Sequence, residues 1–131
     1  MGISPSLPEH QRTLAHEIAH SIGIQIQEVH TKEGDDPIYI QNKGQSCYIC
    51  KSNLYSSINA IARHAELYED VVLFNGTNKD DVKDSTRVGL LAAKDFRVRS
   101  PIVGITKEEV RLASRHIGLP NWNHAASPCL R

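Results

Sequence analysis

The chain has 131 residues, enough for one modest domain with a core of its own. Its 15 Lys+Arg balance its 15 Asp+Glu, which argues against a broad nucleic-acid or anionic-membrane footprint. No apolar run is long enough to span a bilayer, the start Met1-Gly2-Ile3-Ser4-Pro5 lacks the build of a secretory signal, and three cysteines do not make a disulfide framework, so the expected setting is the reducing cytoplasm.

The first predicted element is a helix opened by Ser6-Leu7-Pro8-Glu9. Ser6 supplies an N-cap, Glu9 completes a capping box, and Pro8 fits the first turn, where its missing N–H costs nothing. Leu14, Ala15, Ile18, Ala19 and Ile22 recur at helical spacing, and Gly23 ends the run. Ile24 to Val29 alternates like a half-buried strand. Thr31 to Gly44 reads as polar and irregular, with Gly34, Pro37 and Gly44 as breakers. A second helix is expected from about Cys47 to Ala65, with Leu54, Ile58, Ile61, Ala62 and Ala65 on its apolar side.

Val71 to Phe74 has the length of a short buried strand. It runs into Asn75-Gly76-Thr77-Asn78, a polar turn whose Gly76 and Asn78 tolerate unusual backbone angles, and then into Asp80 and Asp81. In open α/β sheets ligands bind just past the carboxyl ends of strands. The turn therefore offers a hydroxyl, an amide and two carboxylates where a ligand would sit. Residues 79–88 read as charged loop or a short helical turn, Gly89 to Asp95 as helix, and Phe96 to Val103 as a short extended piece. Thr106-Lys107-Glu108-Glu109 is a second capping box, opening a helix through Ile117 that Gly118-Leu119-Pro120 closes. Asn121 to Arg131 reads as loop. Helix, strand, helix, strand, helix points to an α/β layer with parallel strands.

Two motifs carry possible metal chemistry. His16-Glu17-Ile18-Ala19-His20 matches H-E-x-x-H, which on a helix sets two His for zinc and a Glu as general base. The longer metalloprotease pattern needs a third His where this chain has Ile26, and Met1 is its only methionine. The competing reading is an amphipathic helix with His16, Glu17 and His20 toward solvent. Cys47-Tyr48-Ile49-Cys50-Lys51 stands at a helix start, where residues three apart share a face and a nearby Lys favours thiolates. That suits metal ligation or redox chemistry, and with Cys129 an iron–sulfur cluster with one open iron. The alternative is two cysteines packed as small apolar residues.

In order along the chain, Cys47-Tyr48-Ile49-Cys50-Lys51, Gly76-Thr77-Asn78-x-Asp80-Asp81, Asp84 with Arg87 and Gly89, Ser100-Pro101, Thr106-Lys107-x-Glu109-Val110-Arg111, Gly118-Leu119-Pro120-x-Trp122 and Cys129-Leu130 stand out. This set resembles the PP-loop ATP pyrophosphatases of the LarE type. Those are ATP-dependent sacrificial sulfur transferases related to the NAD and GMP synthases and the ExsB-like enzymes. The resemblance implies a Rossmann-like parallel sheet with flanking helices, of the adenine nucleotide alpha hydrolase kind. It implies ATP with Mg²⁺ as cofactors and a nucleotide-type small-molecule substrate, as in nickel-pincer cofactor synthesis. By resemblance, Gly76, Thr77, Asn78, Asp80, Asp81 and Arg87 lie beside the nucleotide. Cys129 matches the sulfur-donating cysteine, and Cys47, Cys50 and Cys129 match the ligands of a [4Fe-4S] cluster.

The departures are equally specific. The family's Ser-Gly-Gly-x-Asp-Ser loop, whose backbone N–H groups cradle pyrophosphate, is absent, and the family's further domain past Cys-Leu-x has no counterpart. Ser46 replaces an Arg and Val88 a Pro. The expectation is a partial PP-loop domain over residues 1–131, truncated at both ends and inactive alone, with a pseudoenzyme or an Fe–S or zinc-binding module lacking ATPase activity as the alternative. An uncovered sheet edge makes homo-oligomers through self-association a further expectation.

Overall fold

The computed structural model describes residues 1–64, 71–84 and 86–125. Its first strand, β1, is Gly2–Ile3, and helix α1 follows at Glu9–Ile22. The helix body and its end match the sequence pattern. Gly23 adopts φ 76°, and its N–H reaches Ala19 O and His20 O, the left-handed stop that glycine permits. The start differs. Pro8 occupies the cap position in an extended conformation, and no side chain caps the helix. Ser6 is buried instead, its hydroxyl hydrogen-bonded to the Tyr39 hydroxyl. A buried phenol requires a polar partner, and that requirement outweighs a cap.

Strand β2 is only Val29–His30, paired parallel to β1 with Gly2 opposite Val29 and Ile3 opposite His30. Residues 24–28 do not extend it, although their alternation predicted a strand. Alternation without a neighbouring backbone to satisfy N–H and C=O groups does not make a strand. The segment expected to be irregular holds a 3-10 turn at Glu33–Asp35 and a short helix, α2, at Pro37–Gln41. Asp36 caps α2, its Oδ1 accepting from Ile38 N at 2.8 Å and Tyr39 N at 3.2 Å. Pro37, counted as a breaker, is the favoured first residue of that helix.

Helix α3 spans Ser46–His64, and α5 spans Gly89–Asp95 as the sequence predicts. They pack on each other to form the core: Tyr55, Ala92 and Ala93 are buried, with Tyr48, Leu73, Phe96 and Val98 against them. The Tyr55 and Phe96 rings sit 5.6 Å apart, a favourable tilted pair. Between these helices lie the residues expected as a buried strand. Only Leu73 reaches the core; Val71, Val72 and Phe74 are 37%, 43% and 60% exposed. The pairing there is a single parallel bridge, Phe74 to Arg99, so the extended piece expected over 96–103 narrows to the residues around Arg99.

Helix α4 is Lys79–Lys83, and α6 is Lys107–His116, opened by the expected Thr106–Glu109 capping box. The described residues form a mixed α/β fold, mostly helical, with one two-stranded parallel sheet. No helix among the described residues is long and apolar enough to cross a membrane.

Candidate functional site

The loop after Phe74 is held by its own side chains. Asn75 Oδ1 accepts from Thr77 N at 3.1 Å and from Ser100 Oγ at 2.7 Å, tying the loop to the segment after Arg99. Asn78 then caps α4: its Oδ1 accepts from Asp80 N at 2.9 Å and Asp81 N at 3.2 Å. Asp81 Oδ2 returns the bond by accepting from Asn78 N at 3.0 Å, closing a capping box. The other Asp81 oxygen faces Arg87 Nη1 at 2.7 Å, and Arg87 Nε stands 3.5 Å from Asp84.

The start of α3 is held from the other side. Ser46 Oγ donates toward Tyr39 O at 3.1 Å and Asn42 Oδ1 at 2.9 Å. The start of α5 crosses α3 closely: a Cβ on Gly89 would stand 3.4 Å from Lys51 Cγ and 3.5 Å from Cys47 O. A Cβ there would make ordinary van der Waals contacts with both, so the two helices meet at close but unstrained range.

These pieces enclose a cavity of about 580 Å³. Gly76, Thr77, Asp81 and Arg87 line it from the loop and the α4–α5 connection, Cys47 and Lys51 from α3, and Leu54, Ile58 and Phe74 form an apolar floor. The volume falls in the range of small-molecule sites, as does the mix of apolar wall and few polar groups. Gly76 has φ outside the left-handed range, and a Cβ there would meet open space. Its expected backbone freedom is therefore not used by the fold.

The sequence-selected residues divide. Gly76, Thr77, Asp81 and Arg87 come together at the cavity with Cys47. Asn78 is 5% exposed and serves as the helix cap. Asp80 turns toward α6, accepting from Lys107 N at 2.8 Å, with Lys83 at 3.3 Å. Those two contacts, the Lys107 N–H first, hold its carboxyl below the usual range. Cys129 lies outside the described residues.

Cys47 is exposed and Cys50 half-buried, both as thiols. They sit one turn apart on α3, yet Cys47 lines the 580 Å³ cavity and Cys50 a smaller one behind it. Among the described residues no group of three or more His, Cys, Asp or Glu gathers as a metal site. The third cysteine expected beside them, Cys129, lies outside the described residues. For Mg²⁺, Asp81 is the cavity's carboxylate, and both its oxygens are engaged.

His16, Glu17 and His20 all face solvent on α1. His16 Nε2 meets Glu28 Oε1 at 2.8 Å, and Arg12 grips the same carboxylate with Nε and Nη2, each at 2.7 Å. Hydrogen bonds from Arg12 first and His16 second lower the Glu28 carboxyl to about 2.

Lys51 and Asn75, named in the sequence only as parts of the cysteine motif and the polar turn, take part in the site as well. Lys51 follows Cys47 by four positions, so helical spacing alone places it on the same wall. Asn75 precedes Thr77 by two, the spacing of a side-chain turn onto the backbone.

The described residues thus define a helix-rich α/β protein with a polar-rimmed cavity between two helices and an asparagine-pinned loop. No family model matches the sequence. Across 98% of its length the chain is 40% identical to the uncharacterized protein slr1717 of Synechocystis sp.. The match takes in 47% of that protein, so the chain spans about half the length of the curated relative it matches.

Proposed function

We propose that this chain is part of an ATP-dependent sulfur transferase of the PP-loop pyrophosphatase type, and that the 580 Å³ cavity is the nucleotide end of its site. One observation carries the reading. Cys47, Gly76, Thr77, Asp81 and Arg87 come from three separate stretches, were singled out together by resemblance, and line one cavity. The parallel sense of both the β1–β2 pairing and the Phe74–Arg99 bridge supports a Rossmann-like parent sheet.

In this reading the Thr77 hydroxyl and the backbone at Gly76 approach the nucleotide. Gly76 supports this because neither its φ nor its neighbours require glycine, whereas a ligand passing close to the backbone would. Arg87 carries the anion contact. A phosphate that drew Arg87 away would free Asp81 Oδ1, making Asp81 the residue to hold Mg²⁺. ATP supplies the activation: a substrate carboxylate oxygen bonds to the α-phosphorus and pyrophosphate leaves. The Cys129 sulfur then attacks the acyl carbon and AMP leaves. Breaking the Cys129 Cβ–S bond, with loss of the α-proton, passes the sulfur to the substrate and leaves dehydroalanine. No step runs through a cluster.

The phosphate-cradling loop is not in this sequence. The chain incubated with ATP and Mg²⁺ should therefore release no pyrophosphate and retain the full mass of Cys129. Joined to a segment bearing Ser-Gly-Gly-x-Asp-Ser and supplied with acceptor, it should release pyrophosphate and lose H₂S from Cys129. Pyrophosphate release by the 131-residue chain alone would overturn the partial-site reading.

A further inference from the structure

Glu33 is the one fully buried charged side chain among the described residues, at 0% exposed. It opens the 3-10 turn after β2, which packs against α2 and α3. Among the described residues neither of its carboxylate oxygens has a hydrogen-bond partner, and neither is open to solvent. Such a group is costly unless a donor or a positive charge meets it. Glu33 lines a second cavity, of about 210 Å³, between the N-terminal segment and α3, with Leu7 and Leu54 as apolar walls. The groups around it do not supply the missing donor. The Ser6 hydroxyl is bonded to Tyr39, Thr31 Oγ1 donates to Ile3 O at 3.3 Å, and Ser4 Oγ accepts from Ser6 N at 3.2 Å. The Met1 ammonium donates to Gln27 O at 2.5 Å. Lys51 lines the cavity from α3, but its side chain is exposed and makes no ion pair among the described residues.

We propose that this cavity binds a small primary amine, held as its ammonium by Glu33 with its short alkyl chain against Leu7 and Leu54. An ammonium brings three donors and a positive charge to two oxygens that lack both. Binding turns the carboxylate from the wall of the cavity toward it. The carboxylate is already out of water, so its desolvation is met on folding rather than on binding, and the ligand gains charge-assisted hydrogen bonds without that cost. A bare metal ion fits less well. Metals of the hard kind take six or more oxygens, and the hydroxyls here are committed to other partners. Among the described residues no group of three or more His, Cys, Asp or Glu includes Glu33. The amine site stands apart from the nucleotide reading of the large cavity and does not depend on it.

The test uses the 131-residue chain at neutral pH with three probes of like shape. These are n-butylamine, an ammonium at that pH, n-butanol, which is uncharged, and butyrate, an anion. Amide NMR should show saturable shifts with butylamine at residues 2–7, 31–33 and 50–54, the segments that line the cavity. The melting temperature should rise with amine concentration, as it does for a ligand that binds only the folded chain. Butanol and butyrate should each bind at least about tenfold more weakly, for want of the hydrogen bonds to a charged group. Glu33→Gln removes an unpaired buried charge, so the variant should fold, and it should lose butylamine affinity by at least about tenfold. If that variant does not fold, the three probes on the wild-type chain decide the matter alone. Butanol or butyrate binding as tightly as butylamine overturns the proposal, as does undiminished butylamine binding by a folded Glu33→Gln chain. So does butylamine that shifts no residue around this cavity at millimolar concentration.

Discussion

At Gly76 the local backbone places no demand for glycine, and the space beside its Cα is open. Replacing it with alanine should leave the fold intact or stabilise it by about 0.4–1 kcal/mol, through the unfolded chain's lost freedom. If a nucleotide passes this backbone, the same change should weaken its binding by roughly tenfold, about 1.4 kcal/mol. Thermal unfolding and nucleotide titration of Gly76→Ala together separate the two effects. Arg97 shows the opposite situation. It sits at φ 53° where α5 ends, with Val98 N bonded to Ala93 O at 2.8 Å. Arg97→Gly should stabilise the chain by about 1 kcal/mol, the cost of a side chain in the left-handed region. Glu28 gives a pH prediction. Its carboxyl falls from 4.5 to about 2 in the folded chain, under Arg12 and then His16. A depressed folded value means its contribution is complete above pH 4.5 and is lost as pH falls toward 2. Melting temperature should drop through that window, and Glu28→Gln should flatten the drop.

Elements whose signals are local were the legible ones. Helix α5 follows from its own spacing, and α6 from the Thr106–Glu109 box, where Glu109 N bonds Thr106 Oγ1 at 3.2 Å and the Thr106 N–H leads in lowering the Glu109 carboxyl. Helix α2 was hidden because Asp36-Pro37 reads equally as a breaker and as a cap with its first residue. The strand expected at 24–29 failed because pairing is not encoded in one strand's alternation, and Ser6 failed as a cap because its partner, Tyr39, is 33 residues away. The site behaved likewise. Thr77, Asp81 and Arg87 were legible as chemistry near one turn, whereas the uses of Asn78 and Asp80 depend on which helix each carboxylate or amide meets. The Asn78 cap is the element's weak point. Asn78→Ala should cost about 1 kcal/mol, within the range for lost caps. It should also speed hydrogen exchange at Asp80 and Asp81, whose amides Asn78 holds.

Over the whole molecule, α3 ties two separate pieces of sheet. Leu54 meets β1, where a Cβ on Gly2 would stand 2.8 Å from Leu54 Cδ1, and Tyr55 packs on Leu73. Among the described residues Val71, Val72 and Phe74 stay 37%, 43% and 60% exposed. Exposed extended apolar segments invite pairing with another chain. The 131-residue chain should therefore associate as its concentration rises in sedimentation velocity runs. Val72→Lys should reduce that association without moving the melting temperature by more than about 0.5 kcal/mol in equivalent stability, as for most surface changes.

The central claim is that a nucleotide binds between α3, α5 and the loop after Phe74. Its most direct test is a titration of the isotopically labelled chain with ATP and Mg²⁺, followed by amide NMR. The account predicts saturable shifts confined to Cys47, Lys51, Gly76, Thr77, Asp81 and Arg87, and their loss in Arg87→Gln. Shifts scattered elsewhere, or none at millimolar ATP, would contradict it.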